Sequence, residues 1–403
     1  MQKRIILSLL LATSLYADAQ MDAIKEQLQE QKDATSRLEA KLNTLEIKNT
    51  NQSASFSQNA YLPDMALILN MSALSRNVSN SEYEKAAIPG FIDAGDINLP
   101  FNKNSGFNLN YAEVAMHSVV DPYFEVFANF HLHPDEFEIG EAYVLTTSLP
   151  YSLRIKAGKF KSAFGRINQM HQHSWNFDSQ PLIYKGLIGP DGISDPGIQL
   201  QWVAPTEIYI MFGAEAMQGS NERSFGDTSA NNLYIGYAKS SIDIGDDLSI
   251  LAGVSLAHGK NTTTNVTDIY GIDLTLREQI GSYSALIWQS EYLQRDKTLS
   301  DTQTDKQAGL YSELVYQYNN NYSFGVRYDL ISKNDADLSA YTTDTDNLDR
   351  YTAKMDYKLF PMSRLRLSAI YDRSKVIAGE RKNIKQVMLS LNIAAGAHGA
   401  HDY

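Results

Sequence analysis

The 403-residue sequence contains no cysteine, so disulfide bridges, thiolate nucleophiles and thiolate metal sites are all excluded. It also lacks any long apolar run. The run near the N-terminus extends only from Ile5 to Leu15. A helix that crosses a bilayer needs roughly 18 to 20 apolar residues. If this chain spans a membrane, it must therefore do so with strands whose sheet closes on itself.

The first residues have the three parts of a secretory signal. Lys3 and Arg4 precede the apolar run, and the small residues Ala17-Asp18-Ala19 follow it. This order is typical of a cleaved export signal. We predict that residues 1–19 are a signal peptide and that the chain is exported.

A heptad pattern follows the signal, with polar and charged residues between its positions. This pattern predicts a periplasmic coiled-coil segment over residues 20–48, although a single solvated helix is also compatible with it. A stretch rich in Gln, Asn and Ser, residues 49–60, then indicates a linker. The heptad positions are Met21, Ile24, Leu28, Gln31, Thr35, Leu38, Leu42 and Leu45.

From residue 61 onward the apolar period changes to two. Apolar and polar residues alternate from Tyr322 to Leu330 and again from Tyr351 to Leu359, as in strands with one apolar face. Short links alternate with longer polar links, such as 294–306 and 373–383, and this alternation is typical of barrels with short periplasmic turns and long external loops. We therefore predict an all-β fold over 61–403, a transmembrane antiparallel β-barrel of about 16 strands.

A barrel of this size encloses an aqueous lumen. Basic residues on the polar faces of the strands would raise the local anion concentration in such a pore. The alternative is that they pair with lumen carboxylates and are electrically silent. The predicted pore-lining basic residues are Arg154, Lys156, Arg277, Arg327, Lys354, Lys358, Arg364 and Arg366.

The third external link, residues 162–196, is the longest and carries both aromatic and polar groups. It could fold inward and constrict the pore through Arg166, Trp175 and Lys185. Alternatively, it could lie flat over the rim.

Histidines are placed in two pairs. His131 and His133 lie two residues apart at a strand end, and His171 and His173 repeat that spacing in the third loop. Neutral imidazoles beside carboxylates suit a borderline divalent ion such as zinc. These four residues form a candidate zinc site on the external face, and inert surface histidines are the alternative.

The segment Gly158-Lys159-Phe160-Lys161-Ser162-Ala163-Phe164-Gly165 resembles the strand-end motif of the phosphate-selective porin O and P family. The resemblance implies a trimeric outer-membrane porin. A subgroup that shares Gln172-His173-Ser174-Trp175 is sometimes labelled as zinc-regulated, TonB-dependent receptors. Such receptors have 22 strands and a plugged lumen, and residues 20–60 could not form a globular plug. The family's lysine and arginine ladder is not matched, so its phosphate specificity is not carried over.

Together these features predict an outer-membrane porin of a Gram-negative bacterium. It would let small hydrophilic solutes or ions diffuse passively, with an anion preference, as a homotrimer in outer-membrane lipid. The alternative function is binding or uptake of a divalent metal, zinc, through the external histidines. No cofactor other than that zinc, and no nucleic-acid partner, is expected. No spacing of Ser, Asp and His singles out a catalytic group, so an enzyme is not expected.

Overall fold

The computed structural model describes Lys32 and residues 63–95, 104–132, 137–341, 344–345, 347–360 and 362–396. The chain divides into two compact units, Met1–Leu62 and Pro63–Tyr403. The predicted signal peptide and linker, and the predicted coiled coil apart from Lys32, lie outside the described residues. The following description concerns the second unit.

The second unit is a closed antiparallel barrel in which each of the sixteen described strands pairs with its sequence neighbours and the first pairs with the last. The predicted fold class and strand number are confirmed. The strands are β1 Asp64–Arg76, β2 Gly106–Asp121, β3 Phe124–Leu132, β4 Phe137–Thr146, β5 Leu153–Lys161, β6 Ser194–Val203, β7 Tyr209–Met217, β8 Leu233–Ile244, β9 Leu248–Lys260, β10 Val266–Gly281, β11 Ser284–Ser300, β12 Gln303–Gln317, β13 Tyr322–Asn334, β14 Leu348–Tyr357, β15 Ser363–Ile377 and β16 Glu380–Gly396.

The period-two pattern decides which face of each strand turns outward. On β1, Ala66 and Ile68 are buried inside the barrel, whereas the outward Met65 and Leu67 are exposed. Large apolar side chains are exposed on the outer face of many strands, which is unfavourable in water but favourable in lipid. The outer surface therefore suits a bilayer.

The links differ between the two ends of the barrel. One end has short turns, such as 122–123 and 282–283, and the other carries the long link 162–193. Two predicted long external links, 294–306 and 373–383, are wrong. Strands β11, β12, β15 and β16 continue through most of these residues and leave turns at 301–302 and 378–379. The sequence there is polar because a strand that extends beyond the membrane need not present apolar side chains.

Among the described residues of the second unit, helical structure is confined to short pieces in the links. These pieces are two α-helices, α1 Asn80–Tyr83 and α2 Leu182–Ile188, and two 3₁₀ turns, Pro150–Ser152 and Gln172–Ser174. The described residues include no helix with the length and apolar character needed to span a membrane.

A substitution at Leu367 tests whether the outer face of the barrel contacts lipid. Leu367 points outward from the middle of β15 with 48% of its side chain exposed. A charge there would sit in the apolar part of a bilayer, so Leu367→Arg should lower the free energy of unfolding by about 2–4 kcal/mol. The matched control is Leu359→Arg in the short link after β14, where we expect a loss of about 0–1 kcal/mol. Denaturant unfolding in lipid vesicles measures both, and equal losses would contradict the membrane orientation.

Candidate functional site

The link between β5 and β6, residues 162–193 and hereafter loop 3, folds into the barrel rather than over its rim. Its aromatic residues Trp175, Phe177 and Tyr184 are buried. The Tyr184 hydroxyl donates a 2.9 Å hydrogen bond to Oε1 of Glu291, a buried residue of β11. The loop therefore occupies part of the space that a barrel of this size would leave to water.

Glycines on the inner wall make room for the loop. A Cβ on Gly309 would lie 3.0 Å from Cδ1 of Ile183, and one on Gly325 would lie 3.2 Å from Cζ of Phe177. These contacts are tighter than ordinary van der Waals packing, so a larger residue would displace the loop. The wall sequence is thus fitted to the loop.

Other external links complete an apolar core inside the barrel. Ile92 from the link after β1 and Phe225 from the link after β7 join loop 3 and inward wall residues in one buried cluster. We call this cluster the lumen core. A Cβ on Gly186 of loop 3 would lie 2.7 Å from Cδ1 of Phe91. Where the lumen core lies, the external half of the lumen is therefore packed like a protein interior.

Wall carboxylates and cations hold the loop backbone. Oδ1 of Asp329 accepts a 3.0 Å hydrogen bond from the Leu182 amide at the start of α2. Arg327 donates to the Ser179 carbonyl at 2.7 Å, and Arg350 donates to the Gln180 carbonyl at 2.7 Å. Backbone groups that enter a low-dielectric core need such partners, because an unpaired buried polar group is costly.

Asp178 of loop 3 provides the reciprocal contact. Its carboxylate accepts hydrogen bonds of 3.0 Å from the hydroxyls of Ser368 and Ser390, and Arg366 lies 3.3 Å away. It therefore ties the loop to β15 and β16.

Three residues of the predicted basic ring lie under loop 3 in ion pairs. Arg327 pairs with Asp329 at 3.1 Å, and Lys354 and Arg366 pair with Asp356 at 2.7 Å and 2.6 Å. All three cations are buried. These cations stabilise the loop and do not face open water. They fit the alternative interpretation of the sequence, in which basic residues pair with lumen carboxylates and do not act on passing ions.

The other five predicted basic residues lie in different surroundings. Arg364 is half-buried and donates to the His173 carbonyl at 3.1 Å. Arg277 and Lys358 are exposed near the short-turn end. Arg154 and Lys156 line a cavity in the lumen. The eight predicted basic residues therefore do not form one ring around the lumen.

The three predicted constriction residues also separate. Arg166 lines the same cavity as Arg154, whereas Trp175 is buried and its indole N–H donates to the Met170 carbonyl at 3.2 Å. Lys185 is half-buried on α2. Burial, followed by repulsion from nearby cations such as Lys375, lowers the pKa of Lys185 to about 7.

A cluster of histidines and carboxylates lies where loop 3 meets β2 and β4. His171 Nε2 is 2.7 Å from Oε2 of Glu141, and His171 Nδ1 is 3.5 Å from Oε1 of Glu113. Burial disfavours the charge on His171, but its hydrogen bonds to these two carboxylates outweigh burial and raise the pKa of His171 to about 9.

Two further histidines approach the same carboxylate. His173 Nδ1 is 3.7 Å and His131 Nε2 is 3.8 Å from Oε2 of Glu113. Glu113, His171 and His173 each offer one ligand atom, and these atoms lie within 4.8 Å of one another. Two imidazoles and a carboxylate are a donor set that suits zinc. His133 lies outside the described residues.

Sequence reasoning missed the carboxylates of this cluster. The nearby acids among the described residues are Glu113 on β2 and Glu141 on β4, the two strands that flank β3. The sequence did contain a signal for them, namely an acid at an inward position of a strand. A buried carboxylate needs a partner, so such an acid predicts a basic or hydrogen-bonding group beside it.

Two cavities remain beside loop 3. The inner cavity, of about 790 Å³, opens near the short-turn end and is lined mainly by β2 to β9. The outer cavity, of about 890 Å³, lies among the external links and includes Asp93, Asp191 and Glu222. Both have charged side chains in their walls, beside apolar ones in the inner cavity, unlike the lumen core.

The closed barrel is similar in fold to solved outer-membrane channels. An anion-selective porin from Comamonas acidovorans aligns with a TM-score of 0.55 at 11% identity, covering 83% of this chain and 99% of that one. The outer membrane channel DcaP of Acinetobacter baumannii aligns with a TM-score of 0.53 at 12% identity, covering 83% and 97%. The chain therefore has the outer-membrane porin fold.

A relative gives a closer match in sequence. The chain belongs to the same family as an uncharacterized protein of Aquifex aeolicus, strain VF5, with 37% identity over 87% of this chain and 82% of that protein. No model of a known protein family matches the chain.

A substitution at Asp178 tests whether its contacts hold loop 3 against the wall. Asp178→Ala removes a buried carboxylate that accepts two hydroxyls and pairs with Arg366, a type of loss that costs about 3 kcal/mol. Local opening should then expose Lys185, and trypsin cleavage after it should become at least about tenfold faster. Mass spectrometry of timed digests measures the rate.

The matched control is Asp191→Ala, because Asp191 is an exposed residue of the same loop. Its cleavage rate should stay at the wild-type value. Equal rates for the two variants would contradict the role of Asp178 as an anchor.

Proposed function

We propose that this chain is an outer-membrane porin that lets small hydrophilic solutes or ions diffuse passively across the outer membrane of a Gram-negative bacterium. The observation that carries the proposal is the pair of cavities, with charged side chains in their walls, that loop 3 leaves open inside a lipid-compatible barrel. A structural or adhesive barrel would need no such space. No spacing of Ser, Asp and His in the sequence marks a nucleophile with its base, so the proposal does not include an enzyme.

The lining of the inner cavity supports a mild anion preference. Five basic residues face four acidic ones there, so the net charge is slightly positive when histidines are left out. Charges that line a narrow pore act at short range on passing ions. The basic residues are Arg154, Lys156, Lys161, Arg166 and Lys239, and the acidic residues are Asp64, Glu113, Glu125 and Glu141.

The finer assignment within the porins is part of the proposal. The segment Gly158 to Gly165, the barrel size and the predicted coiled coil favour a relationship to the phosphate-selective porin O and P family. The heptad segment at 20–48 and that relationship favour a homotrimer.

Reversal potentials test the channel and its selectivity. Purified protein in a planar bilayer under a potassium chloride gradient should conduct and should show a mild anion preference. The double variant Arg154→Gln, Lys156→Gln removes two cavity cations and should shift the preference toward cations by about twofold or more.

The matched control is Lys306→Gln, since Lys306 is exposed near the external end of β12 and lies outside both cavity linings. It should leave the reversal potential unchanged. A wild-type protein that never conducts would end the porin proposal, and an unshifted double variant would end the assignment of selectivity to this cavity.

A second function, zinc binding, is favoured by the convergence of Glu113, His171 and His173. Zinc takes nitrogen and carboxylate ligands, and these residues come from β2 and loop 3. When bound, the ion would link the loop to the wall where His131 and Glu141 also lie. This would make the chain a metal-binding or metal-uptake barrel.

Calorimetry tests the zinc site. The ion requires neutral imidazoles, so affinity should rise with pH up to the pKa of His171, about 9, with release of a proton. The variant His171→Ala, His173→Ala should lose binding. The matched control is His258→Ala, an exposed histidine paired with Asp268 at 2.7 Å, which should bind as wild type does. Identical heats for all three proteins would refute the site.

A further inference from the structure

The inner and outer cavities meet at one residue among those described. Their linings are otherwise different, but Lys161 belongs to both. It is the last residue of β5, so the strand delivers it to the point where loop 3 begins. Lys161 therefore belongs to the part of the wall that the two cavities share.

The contacts of Lys161 hold it between the two cavities. Its backbone amide donates a 2.6 Å hydrogen bond to Oε1 of Glu141, which lines the inner cavity. Its ammonium donates a 3.0 Å hydrogen bond to the Asp191 carbonyl, which belongs to the lining of the outer cavity. The ammonium thus bonds to a neutral oxygen, a contact that an anionic group of a solute can replace.

Among the described residues, the far side of the lumen is filled by buried side chains. The side chains of Tyr184 and Asp329 are 0% exposed, and those of Glu291 and Arg366 are 1% exposed. This side combines the lumen core with the ion pairs that hold loop 3. Solutes are therefore directed away from the barrel axis and toward the wall formed by β2 to β5.

We propose that permeation runs off the barrel axis, through the inner and outer cavities in series, and that Lys161 is the residue at their junction that determines anion passage. The inference rests on the proposed porin function. Anionic solutes, carrying carboxylate or phosphate groups, replace the Asp191 carbonyl as partner of the ammonium and then move on. The residues once expected to select anions, such as Arg327 and Arg366, serve the loop instead.

The absence of native cysteine allows a direct test by single substitution. Lys161→Cys is labelled in the bilayer with a methanethiosulfonate reagent, whose sulfinate leaves as the cysteine thiolate forms a mixed disulfide. An anionic sulfonatoethyl label should lower the anion-to-cation permeability ratio at least about twofold, because charge at the junction is reversed. A cationic aminoethyl label rebuilds a lysine-like ammonium and should restore the wild-type ratio.

The matched control is Lys306→Cys, which places the same labels at an exposed site near the external end of β12 and outside both cavities. There the ratio should not change. Lys161→Gln, which needs no labelling, should shift the ratio in the same direction as the anionic label.

The outcomes separate the two proposals. If wild-type protein conducts but complete labelling at position 161 leaves the ratio unchanged, the junction is refuted and the porin function stands. If the reagent labels position 306 but not position 161 of a conducting channel, the off-axis path is refuted as well. If wild-type protein does not conduct, the porin function fails and the inference fails with it.

Discussion

The packing of loop 3 against the inner wall is the interaction on which the rest of the lumen depends. Sixteen strands enclose more space than their inward side chains can fill. The loop fills one side of that space with apolar residues, and its backbone is satisfied by Asp329, Arg327 and Arg350. Because buried polar groups must be paired, the wall needs charged residues here for structural reasons. The remaining space defines where solutes can move.

This arrangement gives charged lumen residues two different roles. Under the loop, ion pairs such as Lys354 with Asp356 fix a shape and are removed from water. Beside the loop, Arg154 and Lys156 line a cavity in which they can act on a solute. The distinction follows from burial and not from residue type. A basic residue on an inward strand position is therefore a pore residue only where the loop leaves it uncovered.

The histidine cluster shows how loop folding creates a site that no single segment contains. Glu113 and Glu141 come from β2 and β4, whereas His171 and His173 come from loop 3. The loop brings the imidazoles to two carboxylates that lie in the buried part of the wall. The same contacts raise the pKa of His171 to about 9, because the carboxylates of Glu113 and Glu141 stabilise the protonated imidazole of the loop. The cluster is a structural anchor and also a candidate ligand set.

The sequence alone determined the barrel, its strand number and its two faces, because a side-chain period of two and short turns are local properties. It also indicated the histidine pairs and the long third loop. Only the tertiary structure decided which charges face water, since Arg154 and Arg366 have the same local pattern and differ only in what covers them. The partners of His171 and the junction at Lys161 were equally hidden. They depend on where a 32-residue loop, 162–193, comes to rest against distant strands, and strand periodicity carries no information about that.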